Sequence, residues 1–172
     1  MDKLIYQGKK YIRPRDKWAD TSGIAVSESL QSELNHIFAQ KIDPYSLATQ
    51  DCIDRGDEFK KSGSMGLALK FYEAEVESAD KKTMARILPR VTSCYRANGQ
   101  PQKAIDILAQ ANLVYGKDMV TPVLLTSVAA AYCDLEDYAR AKKCCDRALA
   151  MAEGEMTPEL GGVYRRIKAA EK

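Results

Sequence analysis

Arg86, Arg90 and Arg96 fall in one stretch of helical periodicity, with Ser93 between them. Guanidinium forks grip carboxylates and phosphates bidentately, so this run suits an acidic peptide, a phosphopeptide or another carboxylate. An ordinary solvated helix face is the alternative. Upstream, Asp54 and Asp57 share one helix face, and Lys60 and Lys61 follow them. Paired carboxylates can do acid–base work, but helix surfaces carry such pairs routinely. Other sources of catalysis are few. His36 is the sole histidine and sits beside Ile37. No Gly-rich phosphate loop, Gly-x-Ser-x-Gly elbow or His-Glu-x-x-His appears. Neither an enzymatic activity nor a cofactor or metal is expected.

Cysteine usage points the same way. Cys52, Cys94, Cys133, Cys144 and Cys145 are odd in number and form no Cys-x-x-Cys, and one histidine supplies zinc poorly. Adjacent Cys144 and Cys145 would point about 100° apart on a helix and could not bridge. They read as small core residues in a reducing compartment. Charge is nearly balanced, 26 Lys+Arg against 24 Asp+Glu. A net charge of +2 creates no strong field toward nucleic acid or a membrane. No apolar run approaches the roughly 18 residues of a transmembrane helix. The start, Met1 to Gly8, holds only three apolar residues in a row, so no signal peptide and a cytoplasmic location are expected.

The first twenty residues offer a second chemistry. Lys3, Lys9, Lys10, Arg13, Arg15 and Lys17 interleave with Tyr6, Tyr11 and Trp18. A basic surface with exposed aromatics, centred on Lys10, Tyr11, Arg13 and Trp18, could stack single-stranded nucleic acid. The same aromatics could instead pack on a neighbouring helix.

These residues need elements to position them. Leu4 to Tyr6 and Lys9 to Arg13 read as a hairpin turning at Gly8, and Asp20 to Gly23 as a second turn. A four-strand β-meander over about 3–26 follows, with Tyr6, Tyr11 and Trp18 on its apolar face. Ser27 can cap a helix over 27–41 whose stripe is Leu30, Leu34, Ile37 and Phe38. Asp43-Pro44 marks a boundary, dividing a region 1–45 from a region 46–172.

Beyond it a unit recurs. Gly56-x-x-Phe59 leads to Gly63 and Ala68-x-x-x-Tyr72; Thr92-x-x-Tyr95 to Gly99 and Ala104; Ala129-x-x-Tyr132 to Asp137 and Ala141. Ala68, Ala104 and Ala141 stand 36 and 37 residues apart. A fixed period of this size signals stacked helical pairs, because one pair cannot bury its apolar face alone. The units span about 46–82, 83–120 and 121–156. Their helices are expected at 46–61 and 65–79, 84–98 and 101–115, 122–134 and 137–152. Pro89 should begin or kink its helix. Thr121-Pro122 and Thr157-Pro158 are matching helix openings, and the second starts a capping helix within 157–172. Arg165, Arg166, Lys168 and Lys172 would form its solvated side.

The pattern resembles the tetratricopeptide repeat family, with a small residue, an aromatic three later, then Ala-x-x-x-aromatic-x-x-Ala. Gly56, Phe59, Ala68 and Tyr72 match in the first unit, and Tyr95, Ala104 and Ala111 in the second. Val128, Ala129, Tyr132, Ala141, Ala148 and Leu149 match in the third. Thr92, Glu75 and Cys145 depart from it, and the units exceed that family's period of about 34 residues. The resemblance implies a mostly all-α fold: a right-handed solenoid of three helical hairpins plus a capping helix, preceded by the meander and its helix. It also implies a concave groove lined by the first helix of each pair. Asp54, Asp57, Lys60 and Lys61, then Arg86, Arg90, Ser93 and Arg96, then Thr126, Ser127, Ala130 and Cys133 would face it. That groove would run from mixed charge through a basic middle to a nearly neutral end. Some members clamp a two-carboxylate tail with Lys, Asn and Arg; here the positions read Ile53, Asp57, Arg90, Val123 and Ser127, so that ligand is not expected. The implied function is a non-enzymatic adaptor that captures a protein or an extended, acidic peptide, with Arg90 and Arg96 as anchors. A small chaperone, a peptide-sensing regulator and self-association remain alternatives.

Overall fold

The computed structural model describes residues 1–14 and 17–171. Arg15 and Lys172, counted above among the basic side chains, lie outside them. The chain is mostly helical, with eight α-helices and one small antiparallel sheet among the described residues. Two compact units divide it, Met1–Leu47 and Ala48–Lys172.

In the first unit, β1 (Asp2–Tyr6) pairs with β2 (Lys9–Arg13), and Leu4 stands opposite Tyr11. The four-strand meander is corrected to these two strands. Beyond them Ala19 makes single bridges to Ile12 and to Ala25. The reason lies in α1 (Glu28–Lys41), capped by Ser27. Its Gln31 side chain accepts from the Trp18 backbone N–H at 2.6 Å and donates to the Trp18 carbonyl at 2.6 Å. One amide thus engages both backbone groups of Trp18, whose carbonyl also accepts the Val26 N–H at 3.2 Å. The Trp18 ring is fully buried, edge-on to Phe38 at 5.3 Å, and its indole N–H donates to Asn35 Oδ1 at 2.9 Å. Leu4, Tyr11, Trp18 and Leu34 form the unit's core.

The second unit is a succession of seven helices: α2 (Thr49–Lys61), α3 (Met65–Ser78), α4 (Lys81–Ala97), α5 (Pro101–Tyr115), α6 (Pro122–Asp134), α7 (Tyr138–Met151) and α8 (Pro158–Ala170). Polar side chains set the starts. Asp80, Thr121, Asp137 and Thr157 each accept the backbone N–H three residues on. The ends of α2, α4 and α6 close alike. Ser64 N–H bonds to Phe59 O, Gln100 N–H to Tyr95 O and Asp137 N–H to Tyr132 O, at 2.8, 2.8 and 2.9 Å. These are the bonds of a Schellman closure, which needs a left-handed residue. Gly63 and Gly99 supply it in the first two units, and Glu136 at φ 60° in the third.

Pro89 neither begins α4 nor ends it; the helix runs eight residues before it and eight after. An interior proline costs about 3 kcal/mol. Against that, Met84, Ile87, Leu88, Val91 and Tyr95 are all buried along one stripe, each contributing on the order of 1.5–3 kcal/mol. The stripe wins.

Consecutive helices touch, and α4 also touches α2 and α6, while α6 touches α8. Small residues permit the approach. Ala68, Ala104, Ala129, Ala141 and Ala148 have no exposed surface. Gly56 is the tightest point: a Cβ there would lie 2.3 Å from Cε1 of the buried Tyr72 ring. Gly56→Ala should therefore destabilise by about 1–3 kcal/mol through overpacking, although alanine is the better helix former by about 1 kcal/mol. In a Tyr72→Leu background the same substitution should turn stabilising. Urea denaturation of the four proteins measures both signs, and a destabilising Gly56→Ala in both backgrounds would refute the contact.

Candidate functional site

The polar residues singled out above lie on α2, α4 and α6, and the chemistry of several is already engaged. Arg90 Nε donates to both Asp57 oxygens, at 2.8 and 3.1 Å, and its Nη2 donates to Oδ2 at 3.0 Å. Its Nη1 donates to the Arg86 carbonyl at 2.7 Å. Asp57 also accepts the Tyr72 hydroxyl at 2.6 Å, so one carboxylate ties α2, α3 and α4 together. Arg86, which is exposed, donates to Gln50 Oε1 at 2.6 Å. Gln50 in turn donates to Asp54 at 2.7 Å. At the other end of α4, Arg96 Nε donates to Asp134 Oδ2 at 2.7 Å. Arg166 on α8 donates to Asp134 Oδ1 at 2.7 Å.

The open basic middle is thereby corrected. Arg90 and Arg96 each face a carboxylate of a neighbouring helix, so their forks are occupied. Lys61 and Asp54 are exposed, and Ser93 and Ser127 are half-buried. Thr126 is half-buried with its hydroxyl donated to the Pro122 carbonyl at 2.9 Å. Cys133 was expected to face a groove; it is buried in a core cluster with Ala129, Cys145 and Val163. Burial pushes up all five thiols, Cys52 and Cys145 to about 12, so they are weak nucleophiles at neutral pH.

Gln50, Asp134 and Arg166 were missed as partners. A signal for them exists in the sequence. Gln50 and Arg86 are 36 residues apart, Asp57 and Arg90 33, Arg96 and Asp134 38, Asp134 and Arg166 32. Complementary side chains near one repeat period apart are candidates to meet across adjacent units.

The N-terminal surface is corrected as well. Stacking on bases needs exposed rings, and Tyr11 and Trp18 are buried. Tyr6 is half-buried and donates its hydroxyl to Glu33. Lys10 is exposed, whereas Arg13 is half-buried and lies 3.9 Å from the Asp2 carboxylate. His36 is exposed, 2.9 Å from Gln40 Nε2. Among the described residues no three His, Cys, Asp or Glu side chains converge as a metal-binding group, and no helix is long and apolar enough to cross a membrane.

A scan against protein-family models finds no match, and a search of curated proteins finds none.

Partial burial raises the Asp57 carboxyl, but the hydrogen bonds from Arg90 and Tyr72 outweigh that and hold it below the usual carboxylate range. The stability it adds is present above the unfolded value of about 3.9 and is lost as the pH falls through the lower folded value. Arg90→Gln should lower the unfolding free energy by about 1–2 kcal/mol at neutral pH. The gap to wild type should narrow as the pH falls below the usual carboxylate range and close once it has passed the lowered folded value, where Asp57 is protonated in both folded and unfolded chains. Urea titrations across that range test it; a pH-independent gap would assign the loss to packing.

Proposed function

We propose that residues 48–172 form a tetratricopeptide-like solenoid, and that it acts as a non-enzymatic module capturing a protein or an extended peptide along α2, α4 and α6. The main support is the phase shared by sequence and contacts. The small–aromatic–alanine pattern recurs three times, and the helices carrying its first half are those that touch at alternate positions: α2 with α4, α4 with α6, α6 with α8. Polar bonds join those same helices, Asp57 to Arg90, Arg96 to Asp134 and Arg166 to Asp134. In this reading they set the curvature of a fixed face. Asp54, Lys61, Arg86, Ser93 and Ser127 are the side chains left to meet a partner. Five free cysteines suit a reducing, cytoplasmic setting.

A photo-crosslinking amino acid at Ser93 on α4, compared with one at the exposed Leu113 on α5, tests the assignment in native lysate. A discrete adduct from position 93 that is absent from position 113 is expected. Equal labelling at the two positions, or none at 93, would reject the face.

A further inference from the structure

We propose that the cleft where α6, the end of α7 and the start of α8 meet binds a peptide that inserts one large apolar side chain and flanks it with a lysine or arginine. The inference rests on reading this unit as a peptide-binding array, but it moves the contact to the array's end and reverses the charge of the ligand.

The cleft encloses about 330 Å³. That is the low end of the roughly 300–1,000 Å³ of ligand sites, with room for one or two side chains. Val123, Ala148, Ala152 and Leu160 supply apolar walls. The two threonines of the lining already make backbone hydrogen bonds. Thr126 donates to Pro122 O at 2.9 Å, and Thr157 accepts the Leu160 N–H at 3.2 Å. Val123 is 62% exposed although it lines a concavity, so the apolar surface is uncovered.

The ionisable groups of the lining are both acidic, Glu155 and Glu159. Both are exposed, and neither pairs with a cation among the described residues. Two free carboxylates beside an apolar floor favour a cation next to an apolar group. At that exposure each adds selectivity and association rate, and reversing the charge of one replaces attraction of the cation by repulsion. Ser127, half-buried, lines the same cleft.

The wall carrying Glu155 is held by its own backbone. Ala152 N–H bonds to Ala148 O at 3.0 Å, Gly154 N–H to Leu149 O at 2.9 Å and Glu155 N–H to Ala152 O at 2.8 Å. Glu153 and Gly154 take the left-handed conformations this closure requires. A preformed wall loses little conformational freedom on binding. A peptide is the occupant of matching size, because a stable dimer buries about 800 Å² per partner, far more than one or two side chains fill.

A displayed library of random twelve-residue peptides, panned on the full-length chain, tests this. Enriched peptides should carry an aliphatic or aromatic residue beside Lys or Arg. In fluorescence anisotropy their affinity should fall at least about tenfold with Val123→Asp and with Glu155→Lys, and less with Glu159→Gln. Val123 and Glu155 are exposed, so both variants should melt like wild type; Gln at position 159 avoids placing a cation at a helix start. Enriched peptides indifferent to all three variants would overturn the cleft while leaving the array reading standing. A library that yields no binder would overturn the cleft proposal, while the array reading stands or falls on the crosslink at position 93. A dimer in sedimentation that dissociates with Val123→Asp would assign the cleft to a second copy and overturn the proposal.

Discussion

The second unit depends on the space that Gly56 leaves. Its missing Cβ lets the Tyr72 ring lie against α2, and the ring's hydroxyl then reaches Asp57 at 2.6 Å. Asp57, fixed from one side, is where Arg90 lands from α4 with three hydrogen bonds. Burial and polar pairing are here one event. The ring buries apolar area, satisfies its only polar atom and orients the carboxylate. Removing any member leaves another with an unmet donor or acceptor, which costs more than the bond itself contributes.

The same economy recurs with other residues. Tyr95 donates to Glu73 at 2.6 Å and Tyr164 to Asp146 at 2.6 Å. Tyr115 donates to the Ala79 carbonyl at 2.6 Å. Tyr95 is buried and the other two are half-buried, and each hydroxyl finds an acceptor on a neighbouring element, the polar handle that a tyrosine packed in a helical array has to satisfy. Charge follows the same rule. Asp134 receives Arg96 from one side and Arg166 from the other, and those bonds outweigh its partial burial and hold its carboxyl below the usual range. A surface that reads as cationic in sequence is close to neutral once these pairs form. The carboxylates left unpaired at the α7–α8 turn then weigh more in what the unit can attract.

Much of the architecture was legible. Thr121-Pro122 and Thr157-Pro158 open α6 and α8, because a capping hydroxyl followed by a residue that needs no N–H is local chemistry. Gly63 and Gly99 close α2 and α4 for an equally local reason, a left-handed backbone. Pro89 does not begin its helix, since its penalty is local while the buried stripe that overrides it runs the length of α4. The β-meander shortened for a related reason: Gln31, thirteen residues from Trp18, takes the Trp18 N–H and shares its carbonyl with Val26.

What the sequence determined by itself was the set of interactions decided within a turn or two of chain: helix starts and ends, the buried stripe of each helix, and the period of about 36 residues that brings them into phase. Those depend on dihedral preference and side-chain spacing, which are properties of neighbours. Only the tertiary structure decided which charges remain free. Arg90 and Arg96 became structural because their partners come from helices more than thirty residues away, and Cys133 became core because α7 and α8 close over it. Glu155 and Glu159 stayed exposed, with no cation paired to them among the described residues. Pairing at a distance depends on which surfaces meet, and that is settled only when the helices stack.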